Sequence, residues 1–192
     1  LLILLSACGN DEVETMSYYG NDLQPFELVN QNDEPFTSED MEGKVWLANL
    51  IFTECVTVCP PMTQNMTELT QELESEGLSD VGIISFTVDP ETDTPEVLSE
   101  YISWYSPAES IDWQMMTGYD FEFIRDYALN NFKTVVKAPQ DGSNQVLHGT
   151  GIYLIDESGT LLKDYTGVDA GDNVFETEQI VEDVKILTDN LN

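Results

Sequence analysis

Val45-Trp46-Leu47-Ala48-Asn49-Leu50-Ile51-Phe52-Thr53-Glu54-Cys55-Val56-Thr57-Val58-Cys59-Pro60-Pro61 decides how this chain is read. Its first eight residues are almost all apolar, as in a central strand covered on both faces. Pro60 and Pro61 lack backbone donors, which suits the first turn of a helix, where those donors have no partner. Met62, Met66, Leu69 and Leu73 then recur at helical spacing, and Gly77 stands where that helix would end near Glu76. Two cysteines therefore sit where a buried strand hands over to a helix. Cys59 falls at the helix N-terminus, where exposed N–H groups favour a thiolate. Two sulfurs at this spacing can close a disulfide or hold one soft metal ion.

Upstream, Phe26 to Val29 alternates and Asn30-Gln31-Asn32-Asp33 makes a turn toward Pro35-Phe36-Thr37. Downstream, Val81 to Val88 is a second buried strand ending in Asp89-Pro90. Thr94 caps a helix with Pro95 at its first position and Val97, Leu98, Tyr101, Ile102 and Tyr105 on its apolar face. Trp113 to Thr117 reads as a short strand, Tyr119 to Asn130 as a helix, and Phe132 to Val136 as a further strand. Residues 137 to 147 read as a loop or open hairpin. Ile152 to Asp156 and Leu161 to Tyr165 flank a Ser-Gly turn as a hairpin. Ile180, Val184, Leu187 and Leu191 share one face of a closing helix. This order gives an α/β protein: a mixed sheet flanked by helices on both faces, preceded by an N-terminal strand or hairpin extension.

The chain has 192 residues, 41% of them hydrophobic, enough for one domain with a substantial core. Its net charge is −31, from 37 acidic against 6 basic side chains, and such a surface repels nucleic acid and excludes it as a partner. Adaptation to salt or high pH, or an acidic docking face, would account for that coat. The opening Leu1-Leu2-Ile3-Leu4-Leu5-Ser6-Ala7-Cys8 is too short to span a bilayer and looks like the truncated end of a signal peptide. Leu5-Ser6-Ala7-Cys8 resembles a bacterial lipoprotein signal with Cys8 as the lipidated residue, which would anchor the chain to the membrane outside the cytoplasm. Residues 1–22 are thus read as truncated signal and acidic tether, and 23–192 as the folded domain. Of three cysteines, Cys8 is the one left over once Cys55 and Cys59 are paired.

His148 is the only histidine. Two thiolates and one imidazole make a soft donor set that suits Cu(I) and, in tetragonal geometry, Cu(II). Zinc usually takes a fourth protein ligand in a closed site, and no further cysteine or histidine offers one. Glu54 and the acidic surface raise a thiol's pKa, so a free nucleophilic thiolate is disfavoured, whereas a bound cation would deprotonate both thiols.

Phe-Thr-x-Cys-x-x-x-Cys-Pro at 52–60, Val88-Asp89-Pro90, Asp93-Thr94-Pro95-Glu96, and His148 ahead of Tyr153-Leu154-Ile155-Asp156 together resemble the Sco/SenC family. The resemblance runs from about residue 23 to the C-terminus. It implies a thioredoxin-like fold with an extra N-terminal hairpin, and membrane-tethered extracytoplasmic proteins that bind copper and help build the binuclear copper centre of cytochrome c oxidase. Cys55 and Cys59 then match the sulfur ligands and His148 the nitrogen ligand. Asp89 matches an aspartate expected to orient the site from behind the ligands, or else is a turn residue. Thr53 and Pro60 match as structural residues. Gly149 departs from the small polar residue expected after the histidine, which would loosen the backbone there. Implied partners are the copper-bearing oxidase subunit and other copper chaperones or thiol reductants.

Three other readings compete. A thiol–disulfide oxidoreductase would cycle Cys55 and Cys59 against cysteines of an oxidase subunit, although His148-Gly149-Thr150-Gly151 lacks the proline thioredoxins carry at that place. A thiol peroxidase needs an arginine by its thiolate, and the sole arginine, Arg125, lies far away in sequence. A plain interaction module with a structural disulfide leaves His148 without a task.

Overall fold

The computed structural model describes residues 12–140 and 142–191. Seven strands and four helices follow in chain order: β1 (Glu27–Val29), β2 (Pro35–Thr37), β3 (Val45–Ile51), α1 (Cys59–Ser75), β4 (Val81–Thr87), α2 (Pro95–Ser103), β5 (Asp112–Met116), α3 (Phe121–Asn130), β6 (Gly151–Ile155), β7 (Leu161–Thr166) and α4 (Thr177–Asp189). β1 and β2 form the N-terminal hairpin. The main sheet has the order β5-β4-β3-β6-β7, with β3, β4 and β5 parallel and β6 and β7 antiparallel to their neighbours. The mixed, helix-flanked, thioredoxin-like sheet read from the sequence is the observed architecture. None of the helices among the described residues is long and apolar enough to cross a membrane.

β3 lies at the centre and is buried along its whole length, as its nearly all-apolar run requires. Side chains alternate between faces. Trp46 and Phe86 point to the side where the hairpin and α3 close the core: Phe36 packs edge-on against Trp46, and Phe26 and Tyr127 pack against Phe86. Gly82 is required on this side, because a Cβ there would lie 2.3 Å from the Trp46 ring. The other face carries α1, with Met62, Met66, Leu69 and Leu73 fully buried. α2 packs beside α1 through the Thr63–Tyr101 hydroxyl pair at 2.8 Å, and α4 packs on α1 and β3. Gly77, at φ +77°, ends α1 as its position implied.

Three local expectations change. Phe132 to Val136 forms no strand. Lys133 takes a left-handed φ of 55°, which breaks an extended run, and Phe132 instead stacks on Tyr153 with ring centroids 4.5 Å apart. The last helix ends at Asp189, so Leu191 lies beyond it and is exposed. Part of the stretch read as tether is docked on the domain: the Met16 and Gly20 amides donate to Leu162 and Leu161 carbonyls of β7, and Leu23 donates to Gly159. Tyr19 helps hold it by donating to the Phe132 carbonyl at 3.3 Å. The signal-like residues and Cys8 lie outside the described residues.

Candidate metal centre

Topology brings the site together. β3 and β4 run parallel, so Thr53 and Thr87 lie at the same edge of the sheet. β6 runs antiparallel to β3 with Asn49 opposite Ile152, so the residues just before β6 return to that edge and set His148 beside the end of β3. Ligand sites in open α/β sheets collect at this carboxyl edge. Cys55, Cys59 and His148 present ligand atoms that all lie within 4.8 Å of one another. Both cysteines are free and buried, whereas His148 is half-buried at the mouth.

The imidazole is already oriented. Its Nδ1 lies 2.8 Å from the Gly149 carbonyl oxygen, which can only accept, so Nδ1 donates there and Nε2 is the nitrogen free to act as a ligand in the neutral ring. Nε2 is 3.4 Å from Cys59 Sγ. Phe52 backs the ring edge-on, with centroids 5.6 Å apart. Gly149 does not loosen this backbone as expected. A Cβ there would fall 2.1 Å from Thr134 Oγ1, so the absence of a side chain lets Thr134 pack directly against the chain that holds the ligand.

The helix N-terminus acts on the other cysteine from the one its position suggested. Cys59 is the first residue of α1, and Pro60 and Pro61 bring no N–H. The one amide left at these first three positions, that of Cys59, points back along the helix axis and donates to Cys55 Sγ at 3.3 Å. Thiolate character falls to Cys55, whose pKa is pulled well below the ordinary thiol value. The Cys59 thiol beside it contributes most and burial opposes it, while the Cys59 amide is the smallest of the lowering contributions. Cys59 is pushed far up, first by the Cys55 sulfur beside it and then by burial. The contact between the two thiols outweighs the helix terminus, which is why counting helix positions points to the wrong sulfur.

Asp89 is not among the groups that converge on the sulfurs. Its amide donates to Thr87 Oγ1 at 3.0 Å and its carbonyl accepts from Thr92 and Asp93, the pattern of a turn. Four residues on, Asp93 is fully buried and does more. Its carboxylate accepts from the Thr53 amide at 3.2 Å, from Thr53 Oγ1 at 2.5 Å, and from Thr87 Oγ1. It thereby ties the start of the cysteine loop to the end of β4. Burial raises its pKa more than these donors lower it. The sequence held one signal: an acid directly before the helix cap Thr94, which the cap itself does not need. Arg125 is exposed and bonded to Asp126.

A thioredoxin-like sheet with two cysteines and an imidazole at its carboxyl edge defines a thiol or soft-metal protein. The donor set fits copper: thiolate sulfur is a soft ligand, imidazole nitrogen suits copper, and among the described residues no carboxylate joins the group. The SCO1/SenC family model matches residues 16–185, and the chain belongs to that family. It is 40% identical over 185 residues to the SCO1 protein homolog of Bacillus subtilis (strain 168), covering 96% of this chain and 91% of that protein. A solved SCO1/SenC family lipoprotein from Bacillus anthracis is 41% identical, with a TM-score of 0.80 over 87% of this chain and 95% of that one. Copper-bound ScoI from Bradyrhizobium japonicum is 25% identical, with a TM-score of 0.70 over 87% of this chain and 99% of that one.

Proposed function

We propose that this chain is a copper carrier that delivers its metal to the binuclear copper centre of cytochrome c oxidase. Copper is the cargo, held by the sulfurs of Cys55 and Cys59 and by Nε2 of His148. The observation that carries this reading is the convergence of those three donors within 4.8 Å from two segments distant in the chain. The family is one of cytochrome c oxidase assembly proteins, which names the class of recipient. A lipid anchor at Cys8, with residues 9 to about 15 as spacer, would hold the domain on the outer side of the cell membrane; the lipoprotein relative supports this. Asp89 is retained as a candidate that adjusts the charge of the site from its edge.

Two thiolates and a neutral imidazole are needed together. Oxidation of Cys55 and Cys59 to a disulfide removes both sulfur ligands, so the oxidised protein should bind no copper. Titration with copper of the reduced domain lacking residues 1–11, against its oxidised form and the Cys55→Ala and His148→Ala variants, tests the assignment. Parent-like affinity in either variant would refute the ligand set.

A second reading has its own support. The aimed amide and the burial of Cys59 behind Cys55 give the pair the asymmetry of an attacking and a resolving thiol. In that role the dithiol would pass two electrons and two protons to a recipient's disulfide and close its own. Reduction of a disulfide in the copper-bearing subunit by the metal-free protein, lost in Cys55→Ser, would support it.

A further inference from the structure

We propose that Gln145 is a positioning residue, a clasp that holds Cys55 opposite His148 and slows loss of the metal. This deepens the copper reading and rests on it for the cargo. The carboxamide of Gln145 makes two bonds to the cysteine loop, one on either side of Cys55. Nε2 donates to the Glu54 carbonyl at 3.0 Å, and Oε1 accepts from the Val56 amide at 3.4 Å. Few other contacts hold this middle part of the loop. Thr53 is tied down by Asp93 before it, and Cys59 is in α1 after it. Between them the Cys55 amide reaches Phe52 at 3.3 Å, while Val56 is 77% exposed.

The segment that carries the clasp is itself fixed, residue by residue. The Gln145 amide donates to Ser143 Oγ at 3.0 Å. Val146 is buried in the core. Leu147 and Lys137 exchange backbone bonds at 2.9 and 3.1 Å. His148 follows, with its ring set by the Gly149 carbonyl. One short run therefore delivers the nitrogen ligand and, three residues earlier, grips the loop of the first sulfur ligand. The Cys55 sulfur is held by the Cys59 amide at 3.3 Å, so opening the clasp loosens the backbone on either side of Cys55. Asn144 donates to the exposed Glu54 carboxylate at 2.8 Å and accepts from Gln145 Nε2 at 2.8 Å, so it backs the clasp.

Two net hydrogen bonds, one of them long, correspond to roughly a tenfold change in an opening equilibrium. In the metal-free, reduced protein, Gln145→Ala is expected to speed hydrogen exchange of the Val56 amide by about that factor. In the copper-loaded protein it is expected to speed copper loss to a Cu(I) chelator to a similar degree, with the sulfur and nitrogen ligands unchanged in X-ray absorption. Gln145→Glu keeps the acceptor for Val56 but faces the Glu54 carbonyl with a carboxylate, and should behave as the alanine variant does. Parent-like Val56 exchange in both Gln145 variants would overturn the clasp. Faster exchange with parent-like copper loss would overturn its role in holding metal. Failure of the parent to take copper would instead fall on the copper reading, and the exchange measurement would still judge the clasp.

Discussion

Replacing Asp93 with alanine removes the acceptor for three donors, two on half-buried Thr53 and one on buried Thr87. The two hydroxyls, of Thr53 and Thr87, can rotate toward other acceptors, but the Thr53 amide is fixed by the backbone and cannot. For the half-buried Thr53 amide the low end of the unpaired-donor cost applies, about 1 kcal/mol, and each lost hydroxyl bond adds about 1 kcal/mol, giving about 3 kcal/mol in all. For a domain of this size that lowers Tm by about 6–12 °C. Urea unfolding of the metal-free, reduced domain should show an earlier midpoint with an unchanged slope. Asp89→Ala, which leaves the turn bonds of the backbone intact, should change stability by less than about 0.5 kcal/mol. The loosened start of the cysteine loop should also weaken copper binding in Asp93→Ala and not in Asp89→Ala through this route. A loss below about 0.5 kcal/mol in Asp93→Ala would refute the claim that this carboxylate ties the loop to the sheet.

Asp93→Asn gives a pH test of the same residue. The parent carboxyl has a raised pKa in the folded state, so the unfolded chain ionises first as pH rises from about 4. The parent should therefore lose stability relative to the asparagine variant across that rise, and a difference flat in pH would count against the raised pKa. Cys55 has a depressed pKa, so its thiolate is already populated below the ordinary thiol range of about 8.5. Alkylation of the metal-free, reduced protein should modify Cys55 before Cys59, with a rate midpoint below that value; a midpoint at or above it, or reversed order by mass spectrometry, would contradict the aimed amide. Gly82→Ala drives a methyl group into the Trp46 ring and should cost about 1–3 kcal/mol by urea unfolding, and a neutral effect would show that the ring can move aside.

Most of the fold was legible because its signals are local. The nearly all-apolar run at Val45–Ile51, the prolines after Cys59, the Thr94-Pro95 start of α2 and the Ser-Gly turn before β7 each act within a few residues. The candidate ligands were legible through their chemical type and their resemblance to a family. What escaped depends on contacts distant in the chain or on direction. Asp93 meets Thr53 across 40 residues, and nothing in Asp-Thr-Pro announces that partner. Its neighbour Asp89 ends the strand and drew the role instead. The thiolate was assigned to Cys59 because position along a helix is visible in sequence, whereas the contact between the two thiols is not. Phe132 to Val136 has the apolar content of a strand, but the stacking of Phe132 on Tyr153 and the left-handed turn at Lys133 make it a loop that sends only Phe132 and Val136 into the core. Gln145 looked like one more polar loop residue until the cysteine loop stood beside it.

Copper-edge X-ray absorption of the loaded, reduced protein tests the central claim most directly. The account predicts sulfur scatterers from Cys55 and Cys59 together with the imidazole signature of His148, and loss of that signature alone in His148→Ala. A copper environment made only of oxygen and nitrogen, or one in which His148→Ala changes nothing, would contradict it.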